Sequence, residues 1–333
     1  MRCILSLVTS FGFLVLVSCT GPLHKVSFTG QTQGTYYAIT YFDRDARNYQ
    51  RQVDSILHAF DKSVSMWDTI SIISRLNNGD ANVVPDFWFT DIYNKALKVS
   101  EETGGAFDFT VGPLVSAWGF GFKGKINMDK TKVDSLLQFV GYRKVSLDAS
   151  GKIYRPAGVK FDFNAIAQGY AVDLIGTYLF QKGITNYLVD IGGEVLGRGR
   201  KPDGTVWVVG IENPSADSIS ESTVNSMVRL TDMAVSTSGS YRKYRVENGL
   251  RYSHTIDPHT GYPVTHSLLS VTVLAPDCAT ADAYATAFMV MGLDKAKDFL
   301  EHHPGLEAYF IIPEEGGIYS TYATKGFKEI VVE

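Results

Sequence analysis

The chain has 333 residues, of which 45% are hydrophobic and 20% are charged, as is usual for a globular protein large enough to form a sizeable core. Its formal net charge of −4 at pH 7 offers no basic surface to a polynucleotide, so we expect no nucleic-acid partner. The aromatic content of 12% suits a protein that stacks a flat ligand, but it suits a β-rich core equally well.

The N-terminal residues have the features of an export signal. Arg2 supplies a positive charge, and the apolar run 4–17 is too short to span a bilayer comfortably. Small and apolar residues immediately before Cys19 resemble the lipobox of bacterial lipoproteins. We therefore expect residues 1–18 to be a lipoprotein signal peptide, Cys19 to carry lipid, and residues 19–25 to form a tether. The alternative is an ordinary signal peptide with an incidental cysteine.

The cysteine count agrees with this interpretation. Cys3 leaves with the signal, Cys19 is used for lipid attachment, and Cys278 has no partner left in the sequence. The sequence therefore predicts neither a disulfide framework nor a cysteine metal site. We expect a globule anchored to the membrane of a bacterial cell envelope and facing the periplasm.

The predicted elements alternate irregularly between helices and strands. Two strands are expected around Gly30 to Gly34. Helical spacing of apolar residues predicts helices at 46–63, 86–102, 130–140 and 164–182. Further strands are expected at 144–147, 152–155, 159–163, 187–191, 205–211, 227–230, 234–237 and 267–274. A helix from Cys278 to Gly292 follows, and one more helix and two strands complete the chain.

This order lacks regular βαβ alternation, so it favours an α+β fold over a doubly wound α/β fold. We find no internal repeat and no linker, and therefore predict one domain over residues 26–333. Within it we expect two interleaved lobes, with mixed or antiparallel sheets and flanking helices. The polar segment 215–221 is the best candidate for a mobile surface loop.

The helix that begins at Cys278 places a carboxylate and a hydroxyl together. Asp282 and Thr286 are four residues apart, so they share one helix face. Alanines surround them and would let another backbone or a phosphate-bearing ligand come close. Oxygen ligands in a tight site suit Mg²⁺ better than Zn²⁺. The alternative is an alanine-rich core helix whose polar side chains are satisfied locally.

Two other segments combine polar side chains with a change of chain direction. Ala106, Phe107 and Asp108 follow a helix stop at Gly104-Gly105, where a ring and a carboxylate could contact a flat ligand, or could simply pack the loop. Residues 159–173 read as a strand that runs directly into a helix. The first turn of a helix offers backbone N–H groups to phosphates, while capping by Asp162 and Asn164 is the structural alternative.

A third segment contains His254 and a turn at Asp257-Pro258. The spacings from His254 to His259 and His266 do not match the helical pattern of zincins, and Pro258 prevents a helix there. We therefore interpret His254 as a general base or a phosphate partner. Common phosphate-binding loops, the nucleophile elbow and kinase motifs are absent from the sequence.

Taken together, the segments resemble the ApbE family of FAD:protein FMN transferases. The resemblance extends from Thr32 to beyond Gly292, in the family's order. The similar blocks are residues 33–35, 65–67, 74–77, 105–108, 162–171, 192–194, 210–214, 236–239, 254–258 and 281–287. The resemblance implies an ApbE-like fold in which FAD binds, FMN is transferred to a Thr or Ser hydroxyl of an exported flavoprotein, and AMP is released.

The resemblance also implies roles for individual residues. Asp282 and Thr286 would bind Mg²⁺ together with the carbonyls of Ala165 and Ala285. His254 would activate the acceptor hydroxyl or steady the transferring phosphate, so His254 and Asp282 form the catalytic set. The residues that would contact FAD are Gln33, Trp67, Ala106, Phe107, Asp108, Asp162, Gln168 and Ile256.

Two departures from the family pattern stand beside these roles. Gln33 replaces the usual Met, and Gln168 stands where Lys is common, which removes a positive charge near the expected pyrophosphate. The alternatives to a transferase are an FAD pyrophosphatase that yields FMN and AMP, and a non-catalytic FAD-binding lipoprotein.

Overall fold

The computed structural model describes residues 21–120, 128–148, 151–212, 224–240, 244–247, 250–253, 255–265, 268–314 and 318–332. The predicted signal peptide, Cys19, His254 and the predicted loop at 215–221 lie outside these residues.

The described helices are α1 (Gln50–Val64), α2 (Ile72–Asn77), α3 (Phe87–Glu102), α4 (Gly112–Ala117), α5 (Lys130–Leu137), α6 (Ala167–Gln181), α7 (Cys278–Met291), α8 (Leu293–Glu301) and α9 (Lys325–Ile330). A 3₁₀ turn covers Tyr142–Lys144. The described strands are β1 (His24–Thr32), β2 (Thr35–Asp43), β3 (Ser146–Leu147), β4 (Ile153–Tyr154), β5 (Tyr187–Ile191), β6 (Glu194–Arg198), β7 (Trp207–Glu212), β8 (Val224–Leu230), β9 (Met233–Gly239), β10 (Tyr244–Glu247), β11 (Leu250–Ser253), β12 (Ser270–Ala275), β13 (Glu307–Pro313), β14 (Tyr319–Ala323) and β15 (Val331–Val332).

An eight-stranded antiparallel sheet in the order β1-β2-β5-β6-β9-β12-β13-β14 forms the centre of the molecule. One face packs against α1, α3, α6 and α7 and forms the main hydrophobic core. The other face packs against α9 and a small sheet in the order β15-β8-β7, which forms a second core.

The chain leaves the large sheet and returns to it, so the elements on its two faces are not separate in sequence. It leaves the sheet after β6 to form β7 and β8, returns as β9, and leaves again after β14 to form α9 and β15. This topology confirms the predicted α+β fold with interleaved lobes. Within the described ranges, no helix combines the length and the apolar content needed to cross a bilayer.

The β1–β2 hairpin confirms the two strands predicted at the start of the chain. Its nine residue pairs run from His24–Asp43 to Thr32–Thr35. Gln33 and Gly34 form the two-residue turn with φ values of 49° and 75°. Positive φ at both positions is what a type I′ hairpin turn requires, and glycine meets that requirement at low cost.

The prediction of a strand at 159–163 is wrong. Its residues are β-formers, but only Lys160 makes a bridge, to Val111. Phe161 N–H donates instead to the Asn77 side chain, and Asp162 N–H donates to a loop carbonyl at Phe109. The segment is therefore extended but has no neighbouring strand. The following helix begins at Ala167, three residues later than predicted.

Candidate active site

The start of α6 and the first half of α7 touch backbone to backbone. A Cβ atom at Gly169 would lie 2.3 Å from the Cys278 carbonyl oxygen and 2.9 Å from the Asp282 Cβ. Because Gly169 has no side chain, its N–H comes close enough to donate to Asp282 Oδ2 over 3.1 Å. A second backbone therefore does approach α7 closely, and the missing side chain of Gly169 allows it.

A second carboxylate fixes the start of α7. Asp173, one turn along α6 from Gly169, accepts hydrogen bonds from the N–H groups of Cys278 (2.8 Å) and Ala279 (2.9 Å). Asp277 caps the helix by accepting from Thr280 N–H over 3.1 Å. With its first turn held in this way, α7 carries Asp282 to a defined position beside α6.

Asp282 and Thr286 lie between α7 and strand β9. The Asp282 side chain is buried, and its Oδ1 atom accepts from the Ser236 hydroxyl at 3.4 Å. The Thr286 hydroxyl lies 3.1 Å from the Ser238 hydroxyl. Burial raises the pKa of Asp282 from 3.8 to about 7, and the hydrogen bonds from Gly169 and Ser236 oppose this shift.

The segment that leads into α6 is joined to the loop at 105–112. Asp162 N–H donates to the Phe109 carbonyl at 2.7 Å, and the Asp162 carboxylate accepts from Asn164 N–H at 3.0 Å. Burial raises the pKa of Asp162. The Asn77 side chain both donates to and accepts from the Phe161 backbone, with both distances 2.8 Å. The loop at 105–112, the segment before α6 and Asn77 at the end of α2 therefore meet here.

The segment Ala106–Asp108, predicted to contact FAD, is held by hydrogen bonds and packing within the protein. Ala106 is buried, and Phe107 is 2% exposed within the main core. The Asp108 carboxylate accepts from the backbone and hydroxyl of Thr110 (2.8 and 2.6 Å) and from Tyr142 N–H (2.8 Å). These side chains shape the loop, and their predicted contact with FAD stays a prediction.

The hairpin turn and Gln168 approach the same glycine turn between β5 and β6. Gln168 Nε2 donates to the Ile191 carbonyl over 3.2 Å. A Cβ atom at Gly192 would lie 2.0 Å from that nitrogen and 2.8 Å from Thr35 Cγ2. Burial raises the pKa of Asp61 in α1, and the nearby Gln33 side chain opposes this shift. Gln33 and Gln168, the two residues that depart from the family pattern, therefore both lie on the side of the site next to the β1–β2 hairpin turn.

The helix entry has fewer unused backbone donors than the sequence suggested. Ala167 N–H donates to the Phe163 carbonyl at 2.8 Å, and Gly169 N–H is used by Asp282. Ala165 lies in the turn just before α6 and is partly buried. Ala285 is fully buried within α7. The structure thus joins Gly169 directly to Asp282, with Ala165 four residues before Gly169 in the chain.

Trp67 and Ile256 have opposite environments. Trp67 follows α1 and is 67% exposed, so its ring faces solvent. Ile256 is 5% exposed and packs with Leu114 and Trp118 in a small third core. Near Ile256, His259 Nε2 lies 3.0 Å from the Gly104 carbonyl, which places the predicted turn beside the 105–112 loop.

Comparison with known proteins identifies the family. The model of the ApbE family matches residues 33–310. The chain belongs to the ApbE family. The FAD:protein FMN transferase of Vibrio cholerae is 33% identical over 331 residues, covering 97% of this chain and 97% of the relative. The FAD:protein FMN transferase of Escherichia coli K12 is 33% identical over 317 residues, covering 91% of this chain and 88% of the relative.

Solved ApbE structures share the fold. The flavin transferase ApbE from Vibrio cholerae has a TM-score of 0.82 and 31% identity, covering 93% of this chain and 100% of that one. The apo form of the flavinyl transferase ApbE from Pseudomonas stutzeri has a TM-score of 0.83 and 34% identity, covering 92% and 97%. The predicted ApbE-like fold is confirmed.

The donor set at the α6–α7 junction fits Mg²⁺. The carboxylate of Asp282, the hydroxyl of Thr286 and the carbonyls of Ala165 and Ala285 are hard oxygen ligands. Asp282 is buried and accepts hydrogen bonds from an N–H and a hydroxyl, both of which are uncharged, so a cation would compensate its charge. In the part of the chain that the structure describes, no three His, Cys, Asp or Glu residues cluster to hold a metal.

Sequence reasoning gave no role to three residues of this site. Gly169, Ser236 and Ser238 touch the predicted ligands, and each lies in a block that the family resemblance included. The alternation of Ser236 and Ser238 at the end of the strand predicted at 234–237 was the available signal, because residues i and i+2 of a strand face the same side. Their partners on α7 are 46 and 48 positions away, and the sequence does not show that pairing.

Proposed function

We propose that this protein is an FAD:protein FMN transferase. The observation that carries the proposal is the nearly full-length relationship to proteins of that name, with 97% of each chain aligned to the Vibrio cholerae relative. The oxygen atoms of buried Asp282 and partly buried Thr286 support it, because phosphoryl transfer needs a cation to neutralise charge on the phosphates.

The proposed reaction conserves atoms and charge. The bond between the FMN phosphorus and the bridging oxygen of the FAD pyrophosphate breaks, and a new bond forms between that phosphorus and a Thr or Ser oxygen of the acceptor. AMP leaves with the bridging oxygen, and the acceptor hydroxyl loses its proton. We assign the removal of this proton to His254.

Side chains and backbone carbonyls of the protein would contribute by holding the metal ion and the pyrophosphate in position. Asp282 and Thr286, with the carbonyls of Ala165 and Ala285, would hold Mg²⁺, which when bound neutralises charge on the two phosphates. Gln168 would lie near the pyrophosphate as a neutral donor. Because Lys is common at this position in the family, we expect the cation to carry more of the charge neutralisation in this protein.

The substrate contacts extend away from the junction. Exposed Trp67 would stack a ring of FAD, and Gln33 would contact it from the hairpin turn. Ala106, Phe107, Asp108, Asp162 and Ile256 would form the wall behind it, with backbone atoms facing the ligand where the side chains are buried. The acceptor would be an exported flavoprotein, and a lipid on Cys19 would hold the enzyme at the same envelope.

The test is flavinylation of a defined acceptor. The mature protein is incubated with FAD, Mg²⁺ and an exported flavoprotein, and intact mass and AMP release are measured. We expect the mass of the acceptor to increase by the FMN group, with an equal amount of AMP. Controls are the acceptor with its target Thr changed to Ala, and the Asp282→Ala enzyme.

Three outcomes distinguish the candidate functions. No adduct and no AMP with several acceptors would disprove the transferase. AMP and free FMN formed without an acceptor would indicate a pyrophosphatase. Intact FAD that stays bound with Mg²⁺ and acceptor present would indicate a non-catalytic binding protein.

A further inference from the structure

Strand β9 runs directly behind the two predicted metal-ligating side chains of α7. Ser236 and Ser238 are two positions apart, so their side chains leave the same face of the strand. Asp282 and Thr286 are four positions apart and share one face of α7. Alternate residues of a strand are about 6.7 Å apart, and four residues of a helix rise about 6 Å, so the spacings of the two pairs match.

Each serine contacts one of the two side chains. The Ser236 hydroxyl lies 3.4 Å from Asp282 Oδ1, and the Ser238 hydroxyl lies 3.1 Å from the Thr286 hydroxyl. Ser236 is fully buried, and its hydroxyl also lies 3.4 Å from Oε1 of Glu194, the first residue of the neighbouring strand β6. Distances of 3.4 Å are long for O–H···O bonds, and such contacts often tighten when a site is filled.

The chemistry of a ligating hydroxyl explains why a second hydroxyl is needed. A Thr oxygen that gives a lone pair to a cation directs its proton away from the cation, and that proton needs an acceptor. Ser238 lies where it can accept the Thr286 proton. Similarly, a carboxylate that binds a cation through one oxygen is held in orientation by hydrogen bonds to the other. Gly169 N–H and the Ser236 hydroxyl contact the two different oxygens of Asp282.

We propose that Ser236 and Ser238 are positioning residues for Mg²⁺, each orienting one metal-ligating side chain of α7. The inference rests on the proposed Mg²⁺ site. It assigns a different role to each serine: Ser236 orients the carboxylate, and Ser238 accepts the proton of the ligating hydroxyl. Neither serine touches the substrate in this arrangement.

The experiment measures Mg²⁺ affinity directly. The mature protein and its Ser236→Ala and Ser238→Ala variants are titrated with Mg²⁺ by calorimetry, and the Mg²⁺-induced rise in melting temperature is recorded. Loss of an outer partner of a metal ligand commonly weakens metal affinity 10-fold to 100-fold. We expect a loss in this range for each variant, with melting temperatures without Mg²⁺ close to that of the wild type.

The matched control is on the same strand but the opposite face. The Thr237 hydroxyl lies 2.8 Å from the Thr272 hydroxyl of β12, away from α7. Thr237→Val removes a hydroxyl of the same kind, and we expect its Mg²⁺ affinity to equal that of the wild type. Ser238→Thr keeps the hydroxyl and should also retain wild-type affinity.

Several results would overturn the inference. They are unchanged Mg²⁺ affinity in both serine variants, an equal loss in Thr237→Val, or no Mg²⁺ binding by the wild type. Ser238 is partly exposed, so its variant remains informative if the buried Ser236→Ala substitution prevents folding. If both serine variants lose Mg²⁺ affinity while the wild type transfers no FMN, the inference holds and the proposed function fails.

Discussion

Replacing Gly169 by alanine tests whether the contact between α6 and α7 is as close as the structure shows. In an isolated helix this change would be favourable by about 1 kcal/mol, because alanine has the higher helix propensity. In this protein the new methyl group would lie 2.3 Å from the Cys278 carbonyl oxygen, and 2.7 Å from its carbon. These are backbone atoms, so they cannot rotate away as the end of a side chain could.

The expected cost exceeds the gain in propensity. Overpacking in a well-packed core costs about 1–3 kcal/mol. Moving the helices apart also breaks the 3.1 Å hydrogen bond from Gly169 N–H to Asp282, and hydrogen bonds to charged groups contribute about 1.5–3 kcal/mol. We therefore expect Gly169→Ala to reduce the free energy of unfolding by about 2–4 kcal/mol and to weaken Mg²⁺ binding.

Urea unfolding with and without Mg²⁺ measures both effects. Gly176→Ala, two turns along the same helix, is the control: its methyl group would meet the end of the Leu196 side chain at 2.7 Å, and that side chain can move. We expect the control to stay within about 1 kcal/mol of the wild type. A Gly169→Ala protein as stable as the wild type, with the same response to Mg²⁺, would refute the reasoning.

Three further predictions concern single side chains. Asp282→Ala should abolish Mg²⁺-dependent stabilisation and FMN transfer while the protein still folds without metal, because the change removes a charge and little packing; wild-type rates in this variant would contradict the metal assignment. His254→Ala should slow transfer while FAD still binds, as stopped-flow kinetics and FAD titration would show, and an unchanged rate would remove His254 from the mechanism. Burial, with a smaller effect of Asp277, raises the pKa of Asp173 from 3.8 to about 7, so the folded state holds a proton that the unfolded state releases. Stability should therefore fall as pH rises from about 4 to about 7, and Asp173→Asn should reduce that slope by about 1.4 kcal/mol per pH unit, measured by urea unfolding across this range; an unchanged slope would contradict the assignment.

The predictable parts of the fold were those with strong local signals. The helix beginning at Cys278 ends at Met291, as the closing Gly292 indicated. Asp86 caps α3 by accepting from Phe89 N–H, and α3 ends at Glu102 as expected. These boundaries follow from local capping chemistry and glycine, which a sequence displays directly.

The parts that sequence reasoning missed depend on distant partners. Segment 159–163 has the composition of a strand, but its backbone bonds go to Asn77 and Phe109, so no strand forms. Helix α9 and strand β15 were not predicted, because a short C-terminal segment gains its stability by packing Phe327 into the second core. Composition alone does not show which of several cores will receive an aromatic side chain.

The same limit applies to the site. The pairing of Asp282 with Thr286 was visible because both lie on one helix. The contribution of β9 was not, because it depends on the register between a strand and a helix that fold together. Family resemblance included residues 236–239 among the similar blocks without assigning a role to Ser236.

The length of the β1–β2 hairpin sets the distance between His24 and the turn at Gln33. Nine strand residues at about 3.3 Å each carry the chain about 30 Å from His24, where it enters the fold, to the turn at Gln33 beside the site. If Cys19 carries a lipid, the start of the hairpin would lie near the membrane. The turn, and the active site beside it, would then lie at the end of the hairpin that is farther from the membrane. An acceptor anchored in the same membrane would then need its flavin-accepting loop at a comparable height. Shortening the segment of the acceptor between its membrane anchor and that loop should abolish its modification in vesicles. The same shortened acceptor should still be modified in detergent solution.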